Sequence, residues 1–338
     1  MGFTTISKLK ESQHVLVTGG AGYIGSLVCR DLLKLGHKVI AFDKLLFGTS
    51  SLSTLGDSYP NQFKFIQGDI SDRKTVSNCL QHSDVVIHLA AIVGDLACST
   101  DADQTIKTNV DATKELARQA DEAGLERLLF SSSCSVYGIN KEWSDESSPA
   151  HSISLYSQTK LDAEDFLLTS EFNSLDVSIL RCGTTFGLSP RMRFDLVVNY
   201  LAKQALKERS IKIFGGEQWR PFVHVHDVAT VFSSIALAES WDNIRGQIIN
   251  VGSNANNYQL KEIAKLLEEI FPELEIDYLQ SKEDQRSYRV RFDKLSEIIG
   301  TQPTTDLRVG INEIADAIQS GRFADIDEPK YYNNLMTY

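Results

Sequence analysis

The chain has no apolar run long enough to cross a bilayer, no paired cysteine spacing and no surplus of positive charge. Its longest apolar stretch, Val85 to Val93, is broken by His88 and falls far short of the ~20 residues a membrane helix needs. Lys8, Lys10 and Glu11 follow a start without a long apolar run, so no signal peptide is expected. Cys29, Cys79, Cys98, Cys134 and Cys182 are odd in number and show no CxxC, which argues against a disulfide framework or a zinc site and for a reducing cytoplasm. A formal net charge of −11 argues against nucleic acid or an anionic membrane as partner, since both demand clustered Lys and Arg. No internal repeat, low-complexity tract or clear linker is present. His224 and His226 alternate as strand residues facing one side would, but nothing completes a metal ligand set at a recognisable spacing. No metal is expected, and the pair reads as structural.

What is present is an ordinary globular composition, 23% charged and 42% hydrophobic over 338 residues, enough for a sizeable core. His14–Thr18 is a short β-branched run that breaks into GGAGYIG and then into a helical pattern from Tyr23 to Leu35, closed by Gly36. Strand patterns follow at 38–43, 64–66, 85–89 and 127–130, with a long helical stretch from Thr105 to Ala123 between the last two. Strands alternating with helices predict an α/β fold, a Rossmann-type doubly wound parallel sheet, with a smaller C-terminal substrate-binding lobe. The expected division is 1–180 and 181–338, the lobes interleaved.

Gly19, Gly22 and Gly25 spell GxxGxxG, while Gly20, Gly22 and Gly25 spell GxGxxG, so spacing alone leaves the register open. Either lets a pyrophosphate approach bare backbone at a helix N-terminus. Asp43 ends the second strand at about the ~20-residue distance expected of an acid that binds a ribose diol, which favours NAD over NADP, and Lys44 beside it could soften that preference. Asp69, followed by Ile70, could accept the adenine amino group; Asp69 and Asp72 are equally candidate helix caps. Tyr156 and Lys160, four residues apart in YSQTK at a helix start, share one helical face. A phenol is almost wholly protonated at neutral pH, and a neighbouring ammonium, helped by an oxidised nicotinamide, would lower its pKa enough to make it a base.

Taken in order, TGGAGYIG, GDISD, HLAA (88–91), Asn109, SSSCSVYG (131–138) and YSQTK resemble the extended short-chain dehydrogenase/reductase family in its nucleotide-sugar epimerase and dehydratase branch. The resemblance spans about Val15 to Gly300. It implies the GxxGxxG register and NAD bound by Gly19, Gly22, Tyr23, Ile24, Gly25, Asp43, Asp69, Ile70, Leu89, Ala90, Ala91, Asn109 and Lys160. Tyr156 and Lys160 would be the family's YxxxK pair and Ser133 the hydroxyl that holds the reacting oxygen. A homodimer through the helix from Thr105 and the helix bearing Tyr156 is implied as well.

The branch's substrate loop resembles GTTFGLSPRMRFDLVVN, with Thr184 where epimerases often place Asn, and Arg191 and Arg193 nearby as phosphate ligands. Arg220 in WRPFVHVHDV and Arg286 in QRSYRVRFD are the other diphosphate candidates, and Asp227 reads as a helix cap. Sugar 4,6-dehydratases carry an Asp-Glu pair directly after the hydroxyl residue, and decarboxylases a Glu one place later. This chain has Cys134-Ser135, a pattern resembling that of UDP-galactose 4-epimerases. The expectation is therefore an NAD-dependent nucleotide-sugar 4-epimerase. A nucleotide-hexose or nucleotide-heptose 4-dehydrogenase or 4-ketoreductase is the alternative, because the loop wording also resembles that subgroup. A noncatalytic NAD-binding regulator is a third possibility, disfavoured by the intact Ser133, Tyr156 and Lys160. The tail after Gly321 falls outside these motifs.

Overall fold

The computed structural model describes residues 12–49, 51–279, 286–300 and 302–333; Lys8, Lys10, Glu11 and the last tail residues, 334–338, lie outside the described residues. In chain order the strands are β1 (His14–Thr18), β2 (Lys38–Asp43), β3 (Phe63–Gln67), β4 (Val85–His88), β5 (Arg127–Ser133), β6 (Ile139–Ser144), β7 (Asp176–Cys182), β8 (Thr184–Phe186), β9 (Ser210–Phe214), β10 (Trp219–His224), β11 (Ile248–Val251), β12 (Asn257–Gln259), β13 (Glu275–Leu279) and β14 (Ser287–Val290). The α-helices are α1 (Gly25–Lys34), α2 (Leu55–Ser58), α3 (Arg73–Leu80), α4 (Asp95–Thr100), α5 (Ala102–Ile106), α6 (Ala112–Glu122), α7 (Leu155–Thr169), α8 (Val197–Glu208), α9 (Val225–Ala236), α10 (Leu260–Ile270), α11 (Asp293–Ile299) and α12 (Leu307–Gln319).

Seven strands form one parallel sheet in the order β11-β7-β5-β4-β1-β2-β3. Val15 and Val17 of β1 pack with α1 and α9 on one face, while Leu16 packs with residues of α3, α6 and α7 on the other. Because both faces are covered, these strands read as continuous apolar runs. The strand order reverses between β1 and β4, which opens a crevice above their carboxyl ends. Glycine loop and catalytic motif both lead into it.

The second lobe holds β12-β10-β8 and the pairs β13-β9 and β14-β6. A cut at residue 180 falls inside β7, β11 returns from beyond it to the large sheet, and β6 leaves the first half to pair with β14. The two regions therefore exchange strands, and no single cut separates them.

Three expectations are corrected. The helix predicted over 105–123 is divided by a π-helical turn at Lys107–Asp111, which turns Asn109 inward and buries it. His224 ends β10 and caps α9, its Nδ1 accepting from the His226 N–H at 3.3 Å, so the two rings stack across a strand–helix junction, 5.7 Å apart. Asp227, the expected cap, instead accepts from the Thr305 N–H and hydroxyl, each at 3.1 Å. The tail docks on α8: Phe194 N–H donates to the Tyr331 carbonyl at 3.0 Å, and Lys203 reaches Asp327 and the Tyr332 hydroxyl. Among the described residues no helix is long and apolar enough to cross a membrane, and no group of His, Cys, Asp or Glu could hold a metal ion.

Candidate active site

β1 delivers the chain into the glycine loop at Gly19, whose φ of +71° excludes most side chains and whose added Cβ would meet Ala90 N at 2.8 Å. A Cβ on Gly25 would lie 2.1 Å from the Gly19 carbonyl oxygen, so α1 can start only where this residue is bare. No acid stands in the first turn of α1, which leaves its positive end for an anion. Asp43 braces the loop from the end of β2, accepting from Ala21 N–H at 3.1 Å and Leu45 N–H at 2.7 Å. Burial pushes its carboxyl up, against those bonds.

Lys44 pairs with Asp69 at 2.7 Å. Burial of Asp69 is outweighed by Lys44 and by the Ser71 N–H and hydroxyl, which hold its carboxyl at about 2. Asp72, not Asp69, caps α3. Ile70 is buried in the core beside them.

The Tyr23 side chain is engaged by the second lobe. Its hydroxyl donates to the Gly187 carbonyl at 2.6 Å and accepts from Asn199 at 3.1 Å, while Ser189 bonds its carbonyl at 2.7 Å. The phenol is turned away to tie the glycine loop to the second lobe, leaving backbone for a cofactor; Ile24 likewise packs into the core. Asn109 is similarly engaged, clamping both the N–H (2.8 Å) and the carbonyl (2.9 Å) of Ile92 and reaching Thr159 at 3.3 Å. It ties Ile92, and with it the segment that follows β4, to α7.

The three serines ending β5 divide the work. Ser131 offers its carbonyl to Lys160 Nζ at 2.7 Å, Ser132 donates to Glu164, and the Ser133 hydroxyl accepts from Ser135 N–H at 3.1 Å and stays half-buried. α7 begins at a capping box built by Ser154 and Ser157, which fixes the turn carrying Tyr156 and Lys160. Lys160 Nζ lies 5.8 Å from the Tyr156 ring centroid and 4.7 Å from that of Phe130. Thus the phenol, the ammonium and the Ser133 hydroxyl come from two neighbouring elements at the carboxyl edge of the sheet.

Burial pushes the Tyr156 phenol up, the surrounding Cys98, Cys182 and Asp95 add to it, and Arg193 opposes it. Burial also pushes the Lys160 amine down to about 8. Lys160 by itself therefore does not make the phenol acidic, since desolvation outweighs it, and the expectation couples the ammonium to an oxidised nicotinamide for that reason. Added positive charge near the pair is needed.

The arginines fall in two places. Arg191 stacks 3.9 Å over the Phe47 ring, bonds Asn333 of the tail and feels the charge of Asp43, on the glycine-loop side of the cleft. Burial, then Arg193, push its guanidinium down to about 9, and its Nε is buried without a partner among the described residues. Arg193 binds Asp195 at 2.6 Å within electrostatic reach of Tyr156. Arg220 donates to the Trp219 carbonyl at 2.8 Å and to the Arg286 carbonyl, and Arg286 pairs with Asp95 at 2.7 Å. Thr184 starts β8, half-buried opposite Phe222.

Sequence reasoning missed Asp95, Glu164, Arg181 and Cys182. Glu164 carried a signal, an acid one turn beyond Lys160 on a helix whose Lys160 and Ala163 are both buried.

This chain matches the model of the NAD dependent epimerase/dehydratase family over residues 15–252. It is 29% identical over 313 residues to an uncharacterized UDP-glucose epimerase, YtcB, of Bacillus subtilis, covering 89% of this chain and 96% of the relative. It is 30% identical to a dTDP-D-glucose 4,6-dehydratase of Bos taurus, covering 89% of this chain and 87% of that one. The solved UDP-glucuronic acid 4-epimerase from Bacillus cereus, in complex with UDP-glucuronic acid and NAD, superposes with a TM-score of 0.81 at 29% identity, over 91% of this chain and 99% of its own. With the glycine loop, Asp43 and the Ser133, Tyr156 and Lys160 set in place, the chain belongs to the NAD dependent epimerase/dehydratase family, enzymes of the extended short-chain dehydrogenase/reductase type.

Proposed function

We propose that this enzyme is an NAD-dependent nucleotide-sugar 4-epimerase. The observation that carries the reading is the pairing of an intact Ser133, Tyr156 and Lys160 set with Cys134 and Ser135, both buried, where elimination or decarboxylation would call for a carboxylate. The site's residues fit a dinucleotide: bare glycines before an acid-free helix start, a braced Asp43, and a buried Arg191 Nε awaiting an acceptor. Arg191 would serve the cofactor, while Arg193, Arg220 and Arg286 remain on the substrate side with Thr184. When bound, NAD supplies reversible two-electron chemistry at sugar C4. Tyr156 takes the proton of the 4-hydroxyl, Ser133 holds the same oxygen, and Lys160 holds the charge balance of the pair. After the keto sugar turns over in the pocket, Tyr156 returns the proton and the opposite configuration results.

The test is a proton NMR time course with UDP-, GDP-, CDP-, ADP- and dTDP-linked sugars and no added cofactor. Catalytic formation of a 4-epimer is expected. A 4-keto product in proportion to enzyme would replace this reading with a one-way 4-dehydrogenase or 4-ketoreductase.

The same reading includes a homodimer through α6 and α7. Phe166 on α7 meets Phe172 edge-on and carries Lys114 and Arg118 of α6 over its ring, and Ile106 nearby is exposed. Light scattering is expected to give twice the chain mass, and a monomer would remove the proposal.

A further inference from the structure

Asp95 begins α4 directly after Gly94, which holds a φ of +100°. One carboxylate oxygen takes Arg286 at 2.7 Å, while Oδ1 is buried with no partner among the described residues. α4 packs against α7, the helix that bears Tyr156, and the Asp95 charge is felt by the Tyr156 phenol and the Cys98 thiol. A second buried oxygen without a partner, Ser135 Oγ, belongs to the residue whose N–H bonds the Ser133 hydroxyl. Buried acceptors left without donors are costly, and two of them around one reaction centre indicate a ligand that brings hydroxyls.

Resting on the nucleotide-sugar reading above, we propose that Asp95 selects the sugar. Its carboxylate accepts a hydroxyl of a neutral nucleotide-linked hexose, with Ser135 as the companion contact, and it turns away sugars that carry a carboxylate of their own. The physical reason is repulsion between like charges at close range. Arg286 is the cation bonded to Asp95 there, and a substrate diphosphate competes for it, which leaves the Asp95 charge facing the sugar. Family membership does not decide this point, since the solved relative above holds UDP-glucuronic acid.

The experiment is isothermal titration of NAD-loaded protein with UDP, UDP-glucose and UDP-glucuronic acid, for the wild type and Asp95→Asn. The wild type is expected to bind UDP-glucose at least about tenfold more tightly than UDP-glucuronic acid. Asp95→Asn should bring that ratio within about threefold of unity by strengthening the glucuronic acid complex more than the glucose one, and it should still bind UDP no more weakly than the wild type, because Arg286 is released to the diphosphate; that UDP binding is the control for folding. A wild type that binds both sugars equally or favours the acid overturns the assignment, as does a ratio that survives in Asp95→Asn. Failure to bind UDP, ADP, CDP, GDP and dTDP alike overturns the nucleotide-sugar reading and this assignment with it. Binding of one of the others moves the same comparison to the glucose and glucuronic acid forms of that nucleotide.

Discussion

Tyr156→Phe is expected to lower kcat about a thousandfold, in the range of about 10²–10⁴ that a positioned acid or base contributes, while leaving KM and cofactor retention nearly unchanged. The substitution removes one oxygen from a half-buried ring whose hydroxyl is not needed to hold α7, because the capping box of Ser154 and Ser157 does that. The pH dependence separates the base from its neighbour. Burial raises the phenol, so kcat/KM should climb with pH through neutrality as the phenolate fraction grows. Burial lowers Lys160 to about 8, so the ammonium that supports the phenolate is present below that pH and lost above it. Because the phenol lies above the amine, the product of phenolate and ammonium fractions should rise with pH up to about 8 and level off above it, whereas in Lys160→Met, at a lower rate throughout, the rise should continue past that pH. Steady-state rates across the pH range, with single-turnover controls, decide it; a Tyr156→Phe variant within tenfold of wild type would remove Tyr156 as the base.

The Tyr156 and Lys160 pair was legible because both residues lie on one turn of one helix, and β1 and β2 because their apolar runs are closed by glycine and by Asp43. His224 and His226 misled for a local reason. Period-two alternation over three residues fits the end of a strand and the first turn of a helix equally well. Asp95 and Arg286 meet only because the fold brings distant segments together, and Glu164 and Arg181 because α7 packs on the β7 strand that follows it; no periodicity announces either pair. The tail carried no motif at all. Its function is visible only in what it touches: Phe194 through Tyr331, and Arg191 through Asn333.

Breaking the ion pair behind the site is expected to have the largest effect on stability. Arg181 on β7 and Glu164 on α7 are 5% and 4% exposed and meet in a forked arrangement, with contacts of 2.6 to 3.2 Å. Glu164 also takes the Ser132 hydroxyl, while Arg181 reaches the Tyr137 hydroxyl at 3.1 Å, which continues to Asn250 on β11 at 2.9 Å. Removing one charge strands the other without water, so Arg181→Met should cost about 3–5 kcal/mol in urea unfolding. Replacing both, as Glu164→Leu with Arg181→Met, should recover most of that loss, because apolar packing offsets a buried pair well. Function should not recover with it. The pair joins β5, β7 and α7, the first carrying Ser133 and the last Tyr156 and Lys160, so a packed but unpaired core lets these elements shift against one another. Proximity is sensitive to such shifts, and kcat is expected to fall while KM changes little. A double variant with wild-type kcat would show that the network serves stability alone, and a single Arg181→Met costing under about 1 kcal/mol would show that the buried pair is not the clamp the geometry indicates.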